Sequence, residues 1–259
     1  MASTITLQKL NLSLSPIWIS MIENVDRYRD ATSPPGGKLF NEKFNFAPYW
    51  RTIIERVNRD ILKGTRVLPD LPLWFEGINR VPLDKFKVLI LGQDPYPNPA
   101  DACGIAFASK SGERTASLAT IEKELKRTYG EDINLDYSLS SWVSQGVMLL
   151  NTALTIPFPS SEKQNHREIG WGEFVKDILD AVFSNFNIVL LTFGSFARNL
   201  YIEYNKTHSE HVPIEWISTT HPSPRANASA KFPFIGSNVF KRCNQILIAN
   251  KLLPIRWFL

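Results

Sequence analysis

The sequence predicts an α/β fold, a central four-stranded parallel sheet flanked by helices, and three observations carry that prediction. Four short apolar runs rich in Leu and β-branched residues read as buried strands, helical periodicity fills the stretches between them, and the runs alternate with the helices. At 259 residues and 44% hydrophobic content the chain can bury a sizeable core, so one domain spanning residues 1–259 is expected. Within it, residues 1–70 form a mainly helical N-terminal part and residues 71–259 the main α/β body.

In chain order, Ser33-Pro34-Pro35-Gly36-Gly37 reads as a loop and Tyr49 to Leu62 as the best helix of the first eighty residues. The first strand is Phe86 to Leu91. After Ser117, Leu118, Ile121 and Leu125 share one helical face. The second strand is Val147 to Leu150, and the helix after Trp171-Gly172 presents Phe174, Ile178 and Val182. Ile188 to Phe193 and Ile214 to Thr219 are the third and fourth strands, and Val239, Cys243, Ile246 and Leu247 form the last apolar stripe. No repeat, low-complexity tract or linker interrupts this order.

Several classes are excluded at once. No apolar run approaches the roughly 18 residues of a membrane span, and Met1 to Asp30 has no basic segment feeding an apolar core, so no secretory signal is visible and an intracellular protein of cytoplasm or nucleus is expected. Cys103 and Cys243 alone supply neither a disulfide framework nor a Cys-based metal centre, which leaves reduced thiols.

The net charge of +4 is unevenly placed. Between Trp216 and Leu259 there is no Asp or Glu, while Arg225, Lys231, Lys241, Arg242, Lys251 and Arg256 make a basic face. Prolines and aromatics interleave in His221-Pro222-Ser223-Pro224-Arg225 and Lys231-Phe232-Pro233-Phe234, a mixture that suits phosphate and base contact and equally a solvated surface.

In an open parallel sheet the ligand sits beyond the carboxyl ends of the strands. There the sequence places Gly92-Gln93-Asp94-Pro95-Tyr96, Asn151, Gly194-Ser195 and His221-Pro222-Ser223-Pro224. Each has a commoner role: Asp before Pro as a turn, Asn as an Asx cap, a lone His as a packed core group. A carboxylate, a carboxamide and an imidazole at the ends of strands in one sheet point instead to a shared site.

These segments carry a resemblance. Val88-Leu89-Ile90-Leu91-Gly92-Gln93-Asp94-Pro95-Tyr96 resembles the water-activating loop of family 1 uracil-DNA glycosylases, and Gly104-Ile105-Ala106-Phe107 their uracil-stacking segment. Leu149 to Thr155 is similar to their uracil-recognition strand end, and His221-Pro222-Ser223-Pro224 to their minor-groove intercalation loop. Order and spacing agree from Leu73 through Trp257, including Trp142 to Gly146, His166 to Trp171 and Pro254 to Trp257.

The resemblance implies a monofunctional, metal-independent hydrolase that flips uracil out of DNA, cleaves its N-glycosidic bond and leaves an abasic site. Asp94 would orient the water and balance the sugar cation, and His221 would donate as a neutral imidazole to the departing uracil, helped by the Gln93 backbone N–H. Asn151 would read the uracil edge, Phe107 would stack on the ring, and Tyr96 would exclude the thymine methyl. Ser117, Ser195 and Ser223 match phosphate-contacting positions. It further implies action on single- and double-stranded DNA as a monomer, with no cofactor, metal or membrane, and DNA-mimic proteins as inhibitors.

Two positions depart from the pattern. Pro97 stands where the family usually has His, and Arg225 where it usually has the intercalating Leu, as in viral members. Arg225 could stack or contact phosphate, while Phe232 or Phe234 could act as the wedge or equally serve as loop packing. The same departures fit a rival reading, a DNA-binding accessory of replication or repair with weak catalysis and replication partners.

Overall fold

The computed structural model describes residues 5–6, 13–23, 47–161, 164–208, 211–230 and 233–259. The helix α1 (Pro16–Glu23) precedes α2 (Pro48–Leu62), whose Pro48 lies in the first turn, where the missing N–H costs nothing. After β1 (Arg66–Leu68) come the short α3 (Glu76–Asn79), β2 (Val88–Gly92) and α4 (Ala116–Tyr129). Next are α5 (Ser140–Val143), β3 (Val147–Asn151), β4 (Ile156–Phe158) and α6 (Trp171–Asn185). The chain continues with β5 (Val189–Phe193), α7 (Ser195–Thr207), β6 (Glu215–Thr219), α8 (Pro224–Ser229) and α9 (Val239–Ala249).

The sheet order is β3-β2-β5-β6, all parallel, with Gly92 beside Asn151 and Phe193 beside Thr219. All four expected strands are present. The chain lays β3 on one side of β2 and returns to lay β5 on the other, which opens a crevice at the carboxyl ends of β2 and β5.

Alternate strand residues feed two cores. Leu89, Leu91, Met148, Leu150 and Leu190 pack against Trp50, Ile53, Phe174, Ile178 and Tyr204 from α2, α6 and α7. Val88, Ile90, Leu149 and Leu191 pack on the opposite face against Leu118, Ile121, Trp142, Phe240 and Leu247 from α4, α5 and α9. With both faces covered, β2, β3 and β5 are buried along their whole length, which is why they read as nearly continuous hydrophobic runs, whereas the edge strand β6 keeps exposed Glu215 and Ser218. The C-terminal segment closes the second core: the Trp142 indole donates to the Trp257 carbonyl at 2.9 Å, and the Asn244 side chain both donates to and accepts from the Ile255 backbone.

The first eighty residues are less uniformly helical than their sequence suggests. β1 pairs antiparallel with β4, Val67 opposite Pro157, in three-residue strands too short to show an alternation. The expected loop at 33–37 lies outside the described residues. Five of the six cationic residues of the basic C-terminal part, Arg225, Lys241, Arg242, Lys251 and Arg256, are exposed, and Lys231 lies outside the described residues. Both cysteines are free, with burial raising both thiols above their ordinary range.

Buried His166 joins α2 to the connector that precedes α6. Its Nε2 lies 3.0 Å from Asp60 Oδ2 and its Nδ1 2.8 Å from Thr155 Oγ1. A carboxylate only accepts, so Nε2 carries the proton and Nδ1 accepts from the Thr155 hydroxyl, which itself accepts from the Trp171 indole. Burial pushes His166 below its ordinary 6.5, partly offset by Asp60. The unfolded chain therefore binds a proton that the folded chain refuses in the window just below pH 6.5. Stability should be fully present above that pH and fall as the pH drops through the window, by at most about 1.4 kcal/mol per pH unit for this histidine. Urea midpoints at pH 7.5 and 5.5 should differ less in His166→Gln than in the parent; equal differences would refute the assignment.

Candidate active site

Beyond the carboxyl ends of β2 and β3 lies a cavity of about 200 Å³ lined by Asp94, Tyr96, Phe107, Ser117, Asn151 and His221 among others. The structure thus brings together six of the residues singled out in the sequence. Gly92 makes this possible: a Cβ there would lie 2.5 Å from the Asn151 Oδ1 and 2.9 Å from the Phe107 ring. Asn151 and Phe107 occupy the space that a side chain would fill.

Phe107 is buried with a φ of +66°, an unusual conformation for an aromatic residue. Its ring packs 5.5 Å from Phe193 and 5.7 Å from the His221 ring. Asn151 is buried, yet its carboxamide has no protein hydrogen-bond partner among the described residues and lines the cavity. A buried amide without a partner costs free energy unless a ligand satisfies it.

Tyr96 forms a fixed wall. Its hydroxyl donates to the Phe107 carbonyl at 2.8 Å and accepts from the Thr115 hydroxyl at 2.7 Å, and burial pushes its pKa up to about 12. Thr115 also caps α4, accepting from the Leu118 N–H at 3.3 Å. The cap is therefore Thr115, and Ser117 is the second residue of the helix and lines the cavity. Both have hydroxyls, but Thr115 takes the extended backbone angles of a cap.

The His221 ring is held in one tautomer. The Ser223 N–H donates to its Nδ1 at 3.0 Å, so the proton of the neutral ring sits on Nε2. Burial lowers its pKa below 6.5, offset in part by the charge of Asp94, so the ring is neutral at pH 7. Gly194, at φ +102°, allows the turn after β5 to approach: a Cβ there would lie 3.0 Å from the His221 Cβ.

Asp94 Oδ2 accepts from Gln93 Nε2 at 3.2 Å and from Arg167 Nε at 2.8 Å. The Gln93 carbonyl is tied to the Ala153 N–H and the Thr152 hydroxyl, which sets the direction of the loop. Pro97 also lines the cavity.

The remaining serines lie outward. Ser195 is exposed as the first residue of α7. Ser223 caps α8, its hydroxyl accepting from the Ala226 N–H at 3.3 Å, and Pro224 begins the helix, so what reads as a loop contains a helical turn. Arg225 is exposed on that turn. Phe234 is fully buried, its ring 5.0 Å from Phe193 and 6.1 Å from Phe240, which removes it as a wedge because leaving the core would open a cavity. Phe232 lies outside the described residues.

Three functional supports are invisible to sequence reasoning. Arg167 is the first. Glu124 is fully buried and accepts from the backbone N–H groups of Gly236 and Asn238, both at 2.7 Å, and from both ends of the Arg127 guanidinium. Asn227 donates to the His221 and Ser223 carbonyls and accepts from the Ile235 N–H, joining the histidine turn to the segment after α8. No short-range pattern signals either contact to the segment at 235–238; only the Glu124–Arg127 spacing of three hints at a pair.

Residues 79–248 match the family model described as Uracil DNA glycosylase superfamily. The uracil-DNA glycosylase of Pseudomonas syringae pv. syringae is 36% identical over 212 residues, covering 81% of this chain and 88% of that protein. That of Francisella tularensis subsp. tularensis is 36% identical over 213 residues, covering 81% and 92%. Among solved structures, mimivirus uracil-DNA glycosylase superposes with a TM-score of 0.75 at 23% identity, covering 96% of this chain and 88% of that one. A mimivirus UNG variant in complex with UGI gives 0.74 at 23% identity, covering 98% and 91%.

Proposed function

Because this chain belongs to the uracil DNA glycosylase superfamily and excises uracil from DNA, we propose that it is a family 1 enzyme in which Asp94 and His221 carry the cleavage. The enzyme hydrolyses the N-glycosidic bond and leaves an abasic site for base excision repair. The observation that carries the residue assignment is the His221 ring, whose proton is held on Nε2 at a cavity shared with Asp94 and Asn151.

As the bond from C1′ to uracil N1 breaks, its electron pair leaves with the base and the sugar becomes cationic. His221 Nε2–H donates to the uracil O2 on which that charge collects. A neutral donor suits this task, since burial already disfavours an imidazolium. Asp94 supplies negative charge beside the sugar and accepts a hydrogen bond from the water that adds to C1′; the proton of the added water passes to that carboxylate and from it to solvent, and the uracil anion takes up a solvent proton after it leaves. Asn151 has both a donor and an acceptor for the uracil edge, and cytosine would set its own amine against the Asn151 donor. Phe107 stacks on the base. Ser117, Ser195 and Ser223 hold backbone phosphates, and Arg225 meets the DNA where an apolar residue is commoner, by phosphate or stacking contact. Duplex and single-stranded uracil DNA are both substrates. A DNA-mimic protein inhibitor is a further partner, since UGI binds a structural neighbour.

Base choice tests the pocket. Tyr96 is fastened by two hydrogen bonds, so a thymine methyl would meet a wall that cannot yield. Tyr96→Ala should excise thymine measurably while the parent excises none, read by gel cleavage of a strand carrying a T·G mismatch. An empty result for the variant, with its uracil activity preserved, would place C5 against another residue.

A further inference from the structure

We infer that Arg167 is an exchangeable latch on Asp94: it pairs with the carboxylate in the free protein and transfers to a DNA backbone phosphate at the start of α7 when substrate binds. This rests on the role proposed for Asp94. The guanidinium Nε is 2.8 Å from Asp94 Oδ2, and both side chains are only 16% exposed. On its other side the guanidinium carbon lies 4.8 Å over the ring of Phe196, the residue next to Ser195 at the N-terminal end of α7. One side chain thus bridges the carboxylate and the helix start.

The pairing conflicts with the chemistry. A guanidinium at hydrogen-bond distance cancels most of the field that a developing sugar cation needs from Asp94, and it occupies the oxygen that would accept from water. A productive complex requires Oδ2 to be released. A phosphate is the acceptor best matched to the guanidinium fork, and free N–H groups at the start of α7 favour an anion there.

The base of the side chain is fixed. The Arg167 N–H donates to Asn165 Oδ1 at 3.0 Å, and His166 beside it is buried and held by Asp60 and Thr155. Only the side chain needs to move, and the exposed ring of Phe196 supports it along the way.

The test uses single-stranded DNA with one 2′-fluoro-2′-deoxyuridine, which resists cleavage because fluorine disfavours the sugar cation. Binding of the parent, Arg167→Gln, Arg167→Lys, Asp94→Asn and the double variant Arg167→Gln/Asp94→Asn is measured from 50 to 200 mM salt. Arg167→Gln should bind several-fold more weakly at low salt, with the slope of log K against log salt reduced by about 0.7, and Arg167→Lys should restore the slope. Asp94→Asn should tighten binding severalfold in the parent, where it frees Arg167, and less in Arg167→Gln. An unchanged slope in Arg167→Gln, or an equal gain from Asp94→Asn in both backgrounds, overturns the latch. The role of Asp94 is judged separately, by the cleavage rate of Asp94→Asn alone.

Discussion

Asp94→Asn is expected to cleave uracil from DNA about 10³-fold more slowly than the parent in single turnover, while binding the uracil strand at least as tightly. The expectation follows from where the charge acts. Asn is nearly isosteric with Asp, so the hydrogen bond from Gln93 can persist and the cavity keeps its shape. What disappears is a negative charge whose worth is small in the ground state, where the sugar is neutral, and large in the transition state. Gel cleavage under single-turnover conditions gives the rate, and a value within tenfold of the parent would remove Asp94 from the reaction.

His221→Ala should slow the same step by about 10²- to 10³-fold, the range expected on losing one preorganised donor to a developing anion. Its pH behaviour separates it from Asp94. Because burial holds the parent imidazole below 6.5, the saturated rate should stay level from pH 8 down to 6.5 and decline only at lower pH, as the ring gains a proton and loses its acceptor for the Ser223 N–H. In His221→Ala this decline should be gone. The charge of Asp94 raises the imidazole pKa, so Asp94→Asn should lower it further, which NMR titration of the ring can follow. A parent rate that halves near 6.5, or a ring pKa that rises in Asp94→Asn, would contradict the geometry.

Strands β2, β3 and β5 were legible because burial on both faces makes them mainly apolar, and the site because parallel strands deliver their carboxyl ends to one rim; β6, an edge strand with exposed Glu215 and Ser218, was legible from the shorter run Ile214 to Thr219. Asp94, Asn151 and His221 sit within a few residues of those ends, so short-range reading found them. The β1–β4 pair escaped notice because three-residue strands carry no pattern. Glu124, Asn227 and Arg167 escaped it for another reason: what matters in each is a partner distant in the chain or across a turn, and a charged or amide residue on a helix or connector reads as solvated surface. Phe234 illustrates the converse. Its place beside prolines and a lysine left a wedge and loop packing equally open, and packing on Phe193 and Phe240 makes it a core residue.

The anchoring of the segment at 234–238 bears on how this protein can vary. Before that segment, the histidine turn is fastened through Ser223 and Asn227; after α8, the chain is fastened again by Phe234 in the core and by Glu124 to the Gly236 and Asn238 backbone. Two posts, Asn227 and Phe234, thus bracket the stretch between them. Its length can change at a small entropic cost, about 0.6 kcal/mol for a doubling, without displacing the imidazole at one post or α4 at the other. Insertions there would therefore be absorbed between the two posts, beside the exposed Arg225, while the histidine turn and α4 stay in register.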